Sequence, residues 1–294
     1  MNGILVIKKE QGYTSHDVVA KLRGILHVKK IGHTGTLDPD ATGVLPVCIG
    51  NATKVCDLIM EGVKVYTAGV KLGVMTDTQD LSGTVLKECK PDITEEEVRK
   101  AAEAFLGESL QLTPMYSARK VDGHKLVDLA RKGITVERER KKIRIDRIEV
   151  SGFDGNAGTF SMLVQCSKGT YIRTLCNDIG EALGCGASMS SLVRNETTGF
   201  KLEDSHTIDE VREIFLAGDI DSILIPADTL FTDYGRADVT EEGKLYLHNG
   251  NPLYAEQLNV TDGPREKVRV YEDGVFKALY ELRDGMYRPV KMFL

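Results

Sequence analysis

Asp38 is the side chain whose surroundings most invite chemistry. It stands in Gly32-His33-Thr34-Gly35-Thr36-Leu37-Asp38-Pro39-Asp40-Ala41-Thr42-Gly43-Val44-Leu45-Pro46, a run dense in glycine and turn-forming residues. A carboxylate held in such a loop can serve as a nucleophile, splitting one difficult step into two easier ones through a covalent intermediate. The competing reading is structural: Asp-Pro is a common turn, because Asp accepts local backbone hydrogen bonds and Pro fixes its own φ. Glycine-rich loops also cradle phosphates, but neither G-x-x-x-x-G-K-[ST] nor G-x-G-x-x-G occurs, which argues against a nucleotide triphosphate site. The six histidines (16, 27, 33, 124, 206, 248) show no H-x-x-x-H spacing, and the six cysteines (48, 56, 89, 166, 176, 185) form no C-x-x-C pair. No metal, no cofactor and no disulfide framework is expected.

The loop needs a scaffold. Gly3 to Ile7 predicts a buried opening strand, and Thr14-Ser15 caps an amphipathic helix through His27 with Val18, Val19, Leu22 and Leu26 on its apolar side. The apolar run Val44 to Ile49 leads the loop into a strand, Asn51 is expected to cap a helix to Met60, and Val63 to Leu72 reads as a strand carrying Tyr66. A strand is suggested at 83–88. Thr94 and Glu97 form a capping box for a helix to Phe105. Asp122-Gly123 marks a turn, and Lys125 to Lys132 a helix stopped by Gly133. Strands at 134–150 and 158–167, a helix from Thr170 to Leu183 and a capped helix over 207–216 follow. Beyond Thr232-Asp233-Tyr234-Gly235 the pattern turns to short alternating segments, with Glu272-Asp273-Gly274 as a turn. Strands mixed with helices, without regular βαβ alternation, predict an α+β fold.

The chain has 294 residues, of which 41% are hydrophobic and 28% charged, enough for one domain of about 200 residues and a smaller one. No apolar run approaches the roughly 18 residues of a membrane span, and the N-terminus lacks a signal-peptide pattern. The cytoplasm is the expected location. A net charge of −6 argues against an indiscriminate nucleic-acid binder, since neutralising phosphates takes clustered Lys and Arg. The distribution is uneven, however: 111–201 carries 15 basic and 10 acidic side chains, and 202–294 carries 10 and 19. Arg138 to Arg147 has six basic residues in ten. That strip suits a phosphate backbone, or equally a solvated strand face.

The run from Gly32 to Pro46 resembles the signature of the TruB family of tRNA pseudouridine synthases. Lys64-Val65-Tyr66, Pro114-Met115-Tyr116-Ser117-Ala118-Arg119-Lys120 continuing to Ala130-Arg131-Lys132-Gly133, Ser167-Lys168-Gly169-Thr170-Tyr171-Ile172-Arg173-Thr174, and Leu192-Val193-Arg194 resemble further family motifs, in the family's order, over roughly residues 3–200. The last sixty residues are more weakly similar to a PUA-like RNA-binding domain. The resemblance implies a pseudouridine synthase fold with a central mixed, largely antiparallel sheet flanked by helices. It implies a catalytic domain over 1–233, with an insertion at about 81–150, and a PUA-like domain over 234–294. Lys8, Glu10, Val127 and Asn195 depart from the family pattern, where Asp, Pro, an aromatic residue and Thr are usual. These departures bear on RNA contacts and loop stiffness rather than on reaction class.

What the resemblance implies for function is specific: isomerisation of uridine 55 in the TΨC stem-loop of tRNA, with Asp38 as nucleophile and no cofactor. A carboxylate in an enclosed pocket stays ionised more readily beside a cation, and the resemblance puts Arg173 there, its planar guanidinium suited to a charge-assisted hydrogen bond. Tyr66 would stack on the base and help move a proton. His33 would fill the space left by the extruded base, Tyr171 and Leu192 would line the pocket, and Lys9 would support the loop or contact RNA. The expected partner is tRNA, with no membrane and no obligate protein partner, the chain acting as a monomer. The alternatives are an RNA-guided relative acting within a complex and a protein that chiefly binds or folds tRNA. A metabolic enzyme using a loop aspartate lacks any cofactor signature.

Overall fold

The computed structural model describes every residue except 262 and 264. The strands are β1 (Gly3–Lys9), β2 (Ile31–His33), β3 (Thr42–Ile49), β4 (Lys64–Leu72), β5 (Val74–Thr76), β6 (Val85–Glu88), β7 (Gly107–Leu112), β8 (Lys120–Val121), β9 (His124–Lys125), β10 (Arg140–Asp154), β11 (Thr159–Cys166), β12 (Ala187–Thr197), β13 (Phe200–Lys201), β14 (Gly235–Val239), β15 (Leu258–Val260), β16 (Lys267–Glu272), β17 (Val275–Arg283) and β18 (Met286–Met292). The helices are α1 (Ser15–Leu26), α2 (Cys56–Glu61), α3 (Glu95–Glu103), α4 (Leu126–Ala130), α5 (Ile172–Ala182), α6 (Ile208–Leu216) and α7 (Glu241–His248).

Nine strands form one sheet with the order β1-β3-β12-β4-β11-β10-β7, β2 pairing with β3 and β13 with β12. Within it only β3 and β12 run parallel. The fold is therefore α+β with a mixed, largely antiparallel sheet. β4 alternates buried and half-buried side chains along its length, as expected of a strand with one face on a core. That core gathers β4, β10, β11 and β12 with α3 and α5, whose Val98, Ala102, Leu175 and Ile179 are buried. A second core joins β1 and β3 to α1 and α6. The segment expected as an insertion adds β7 and β10 to the sheet. A separate five-stranded sheet, β15-β14-β16-β17-β18, makes up the β-rich C-terminal part. It meets the first sheet through Phe276 and Phe293, with ring centroids 4.6 Å apart, packed with Ile4, Ala52 and Phe231.

The capping boxes at Thr14, Thr94 and Thr207 are all formed, each threonine accepting from the backbone three residues on. Elsewhere tertiary context moved the boundaries. Asn51 caps no helix: Gly50, at φ 61°, turns the chain into a short 3-10 segment, and the Asn51 amide donates to the carbonyl of Phe293 at 2.8 Å. The helix expected over 125–132 shortens to α4 because the β8–β9 hairpin takes up residues to Lys125. Residues 134–139 are not strand, since β10 begins only where Arg140 meets Leu112 of β7. β12 and α7 were not legible in the sequence; β12 runs through the middle of the main sheet. Among the described residues, no helix is long and apolar enough to cross a membrane, and no cluster of three or more metal-ligating side chains occurs.

Candidate active site

The loop between β2 and β3 is held from three sides. Lys9, at the end of β1 and 0% exposed, donates from Nζ to the carbonyls of Glu10, Pro39 and Ala41, the last two at 3.1 and 2.5 Å. Ser15, at the start of α1, accepts the amide of Leu37 at 2.9 Å. Thr34 donates backbone and side chain to the carbonyl of Pro46. The amide of Ala41 closes a turn on the carbonyl of Asp38 at 3.1 Å, so Asp38-Pro39 is a turn as well as part of a site. At Gly43, with φ 111°, a Cβ would lie 2.3 Å from the carbonyl oxygen of Arg194. The parallel approach of β3 to β12 therefore requires glycine there.

This framing turns the Asp38 carboxylate toward α5. Arg173 Nε lies 3.0 Å from Asp38 Oδ2; the arginine side chain is 7% exposed and the aspartate 43%. The rest of the guanidinium is engaged elsewhere. Nη1 donates to the carbonyl of Thr78 at 3.0 Å and lies 3.7 Å from Asp80, and Nη2 donates to the carbonyl of Tyr116 at 2.9 Å. Arg173 thus joins the Asp38 loop, the β5–β6 turn and the segment that carries Tyr116. The turn is pinned further where Thr174 donates to Gln79 at 2.8 Å and the Tyr116 hydroxyl donates to Asp77 at 3.0 Å.

Asp38 and Arg173 open onto a cavity of about 520 Å³ whose walls include Leu37, Tyr66, Tyr171, Leu192 and Arg194. That lies within the roughly 300–1,000 Å³ usual for small-molecule sites. Tyr66 is buried on β4, and burial pushes its phenol above the ordinary value against the pull of the nearby Arg194 charge. Tyr171 directly precedes α5, and the Gln111 side chain grips its backbone both ways, accepting from its amide at 2.8 Å and donating to its carbonyl at 3.0 Å. Leu192 is buried on β12. The structure thus brings together Asp38, Tyr66, Tyr171, Arg173 and Leu192.

Two residues named from the sequence lie elsewhere. Lys9 has no exposed surface, so in this structure it supports the loop from beneath and offers nothing for RNA to touch. His33 is not among the cavity walls. Its ring lies edge-on to His16 with centroids 5.0 Å apart, and its Nδ1 accepts the amide of Gly35 at 3.3 Å. Burial and the neighbouring His16 lower its pKa, which keeps the flat ring neutral near pH 7. Among the departures from the family pattern, Asn195 is accommodated by a 2.7 Å hydrogen bond to Thr67.

Among the cavity residues given no role from the sequence are two buried cations. Lys64 is buried and donates to the carbonyls of Met60 and Gly62; burial lowers its pKa to about 8. Its spacing of two from Tyr66 puts both on one strand face, a signal the sequence did carry. Arg194, 1% exposed, donates from Nε to the carbonyl of Val44 at 2.8 Å and from Nη2 to that of Gly35 at 3.4 Å. The sequence marked it as part of the Leu192-Val193-Arg194 motif, but its burial and its place in the cavity depend on β12 being an inner strand.

The comparisons agree with the motif reading. The family model described as "TruB family pseudouridylate synthase (N terminal domain)" matches residues 23–172, and "tRNA pseudouridylate synthase B C-terminal domain" matches 173–232. The chain is 45% identical to the tRNA pseudouridine synthase B of Lachnoclostridium phytofermentans and 43% identical to that of Clostridium tetani, with all of both chains covered in each case. Among solved structures, it superposes on a chain of an H/ACA ribonucleoprotein bound to a substrate RNA containing 2'-deoxyuridine. The TM-score is 0.71 at 23% identity, covering 99% of this chain and 85% of that one, a likeness of fold.

Proposed function

The chain belongs to the TruB family of pseudouridylate synthases, and from that membership we propose that it isomerises uridine 55 in the TΨC loop of tRNA to pseudouridine, with Asp38 as nucleophile. The observation that carries the proposal is the Asp38–Arg173 pair at the cavity that Tyr66, Tyr171 and Leu192 line. The reaction breaks the N1 glycosidic bond, turns the base and joins it again through C5. It is redox-neutral and takes no external group donor, so the protein need supply only a nucleophile, its cation, a group that moves a proton and a shaped pocket.

The uridine reaches Asp38 by leaving its stack, at a cost of about a few kcal/mol. His33, outside the cavity and neutral, fills the vacated space with its ring. Inside, Tyr66 stacks on the base while Tyr171 and Leu192 confine it, so that rotation occurs without escape. Arg173 keeps the carboxylate charged and aimed, because a guanidinium beside it offsets the desolvation that would otherwise favour the neutral acid. Lys9 acts on the same loop from below. Recognition of the RNA rests on loop shape and backbone contacts more than on a long base sequence. In this reading the chain acts as a monomer in the cytoplasm, on bare tRNA.

Tritium release from C5-labelled uridine in a tRNA transcript tests the proposal, because forming the C5–C1′ bond displaces that hydrogen. Purified wild-type protein should release it and Asp38→Asn should not. An absence of release by the wild type on bare transcript would overturn the assignment.

A further inference from the structure

Arg194 occupies a singular place in the sheet. In register it faces Gly43 of β3 on one side and Tyr66 of β4 on the other. Its guanidinium is tied to the carbonyls of Val44 and Gly35, the two ends of the Asp38 loop, and it lines the same cavity as Tyr66, its cross-strand partner. A buried cation needs a reason, since removing it from water is costly unless it is paired. Two carbonyls anchor this one without neutralising it.

The charged and titratable groups that act on the Tyr66 phenol or share its cavity are Asp38 from the loop, Glu61 from α2, Lys64 from its own strand, Arg119 before β8, Cys166 from β11, Lys168 and Tyr171 before α5, Arg173 from α5 and Arg194 from β12. Glu61 and Lys168 pair with each other, and both they and Arg119 are exposed. Arg173 is engaged by Asp38 and by the carbonyls of Thr78 and Tyr116, and Lys64 by those of Met60 and Gly62. Burial pushes the Cys166 thiol up to about 11, so it remains uncharged, and the Asp38 charge opposes a phenolate. Burial raises the Tyr66 phenol, and Arg194 is the cation that pulls it back.

Resting on the pseudouridine synthase reading above, we propose that Arg194 is the positioning residue for proton transfer by Tyr66, its fixed guanidinium stabilising the phenolate that removes the hydrogen from C5 of the re-attached base. In that step the C5–H bond breaks, its electron pair restores the C5–C6 double bond, and the proton joins the Tyr66 oxygen. Tyr66 has lost its own hydrogen to solvent beforehand, and N1 of the base, freed when the glycosidic bond breaks, takes one from water. The phenol is thereby regenerated, and its new hydrogen exchanges with water.

The test is the single-turnover pH profile of tritium release by wild type, Arg194→Lys and Arg194→Gln, with binding of the tRNA transcript measured in parallel. Arg194→Gln should bind the transcript within about threefold of wild type, react about 10- to 100-fold more slowly near pH 7, and show its rising limb about one pH unit or more higher. Arg194→Lys, keeping the charge, should recover part of both. A uniformly slower rate with an unmoved limb would reduce Arg194 to loop support and overturn the proposal. Should the variants not fold, 3-fluorotyrosine at position 66 of the otherwise native chain reads the ionisation directly by fluorine resonance. A ring that stays protonated as the pH rises through the limb of the wild-type rate profile would equally overturn it. Release by wild type against none by Asp38→Asn, scored in the same preparations, reports the reaction itself, so the two proposals fail separately.

Discussion

Arg173 reaches Asp38 through one nitrogen: Nε lies 3.0 Å from Oδ2, while both terminal nitrogens donate to the backbone carbonyls of Thr78 and Tyr116. The fork is therefore turned away from the carboxylate and toward the two segments that wall the site. One side chain sets the aspartate and closes the turn around it.

Arg173→Lys keeps the charge but not the planar set of donors. A lysine on Asp38 leaves the two carbonyls without their charged partner, each such bond being worth about 1.5–3 kcal/mol. The expected outcome is a fall in single-turnover rate of about 100-fold, with faster backbone hydrogen exchange around Thr78 and Tyr116. Near-normal turnover would remove Arg173 from its assigned role.

Tyr66→Phe deletes a hydroxyl and leaves the ring. If the ring stacks on the base and the oxygen moves a proton, RNA binding should be retained while product formation falls to background. Equal loss of both, measured by filter binding and tritium release, would instead indicate packing. Unfolding stability should change by less than about 1.5 kcal/mol, since the ring volume is kept.

Lys9→Met tests a buried ammonium through pH. Burial lowers the Lys9 pKa to about 8 from its ordinary value, so between pH 8 and about 10.4 the unfolded chain holds a proton that the folded chain has lost. Stability contributed by this site rises with pH across that window. The wild type should therefore gain on Lys9→Met as pH rises from 8 to 10.4, by up to about 3 kcal/mol in denaturant titrations. A pH-independent difference would contradict it. At pH 7 the variant should also react more slowly, because the carbonyls of Pro39 and Ala41 lose their donor.

Gly43→Ala places a Cβ 2.3 Å from the carbonyl oxygen of Arg194 at a φ of 111°. Neither backbone can give way without parting β3 from β12. The variant should lose about 2–4 kcal/mol of stability, visible as a lowered thermal midpoint, and more activity than that loss explains, because the same contact places Arg194 beside Tyr66. An unchanged midpoint would show that the strands can separate freely there.

The sequence by itself carried whatever is decided within a few residues or by an ordered set of motifs. Thr14, Thr94 and Thr207 begin helices because each accepts from a backbone amide three positions on, a bond closed before any tertiary contact. The order of Asp38, Tyr66 and Arg173 was likewise visible, and so was an α+β architecture. Tertiary structure decided what depends on distant partners. The serine-rich β12, Ala187-Ser188-Met189-Ser190-Ser191-Leu192-Val193-Arg194, shows no plain alternation. It is a central strand only because β3 and β4 flank it, and with it came the position of Arg194. Lys9 suits loop support and RNA contact alike until β1 pairs with β3 and the Asp38 loop covers it. Asn51 reads as a cap until the carbonyl of Phe293, more than two hundred residues away, takes its amide. Local hydrogen bonds are written in neighbouring residues, whereas burial and cross-strand pairing are settled by segments that meet only when the chain has folded.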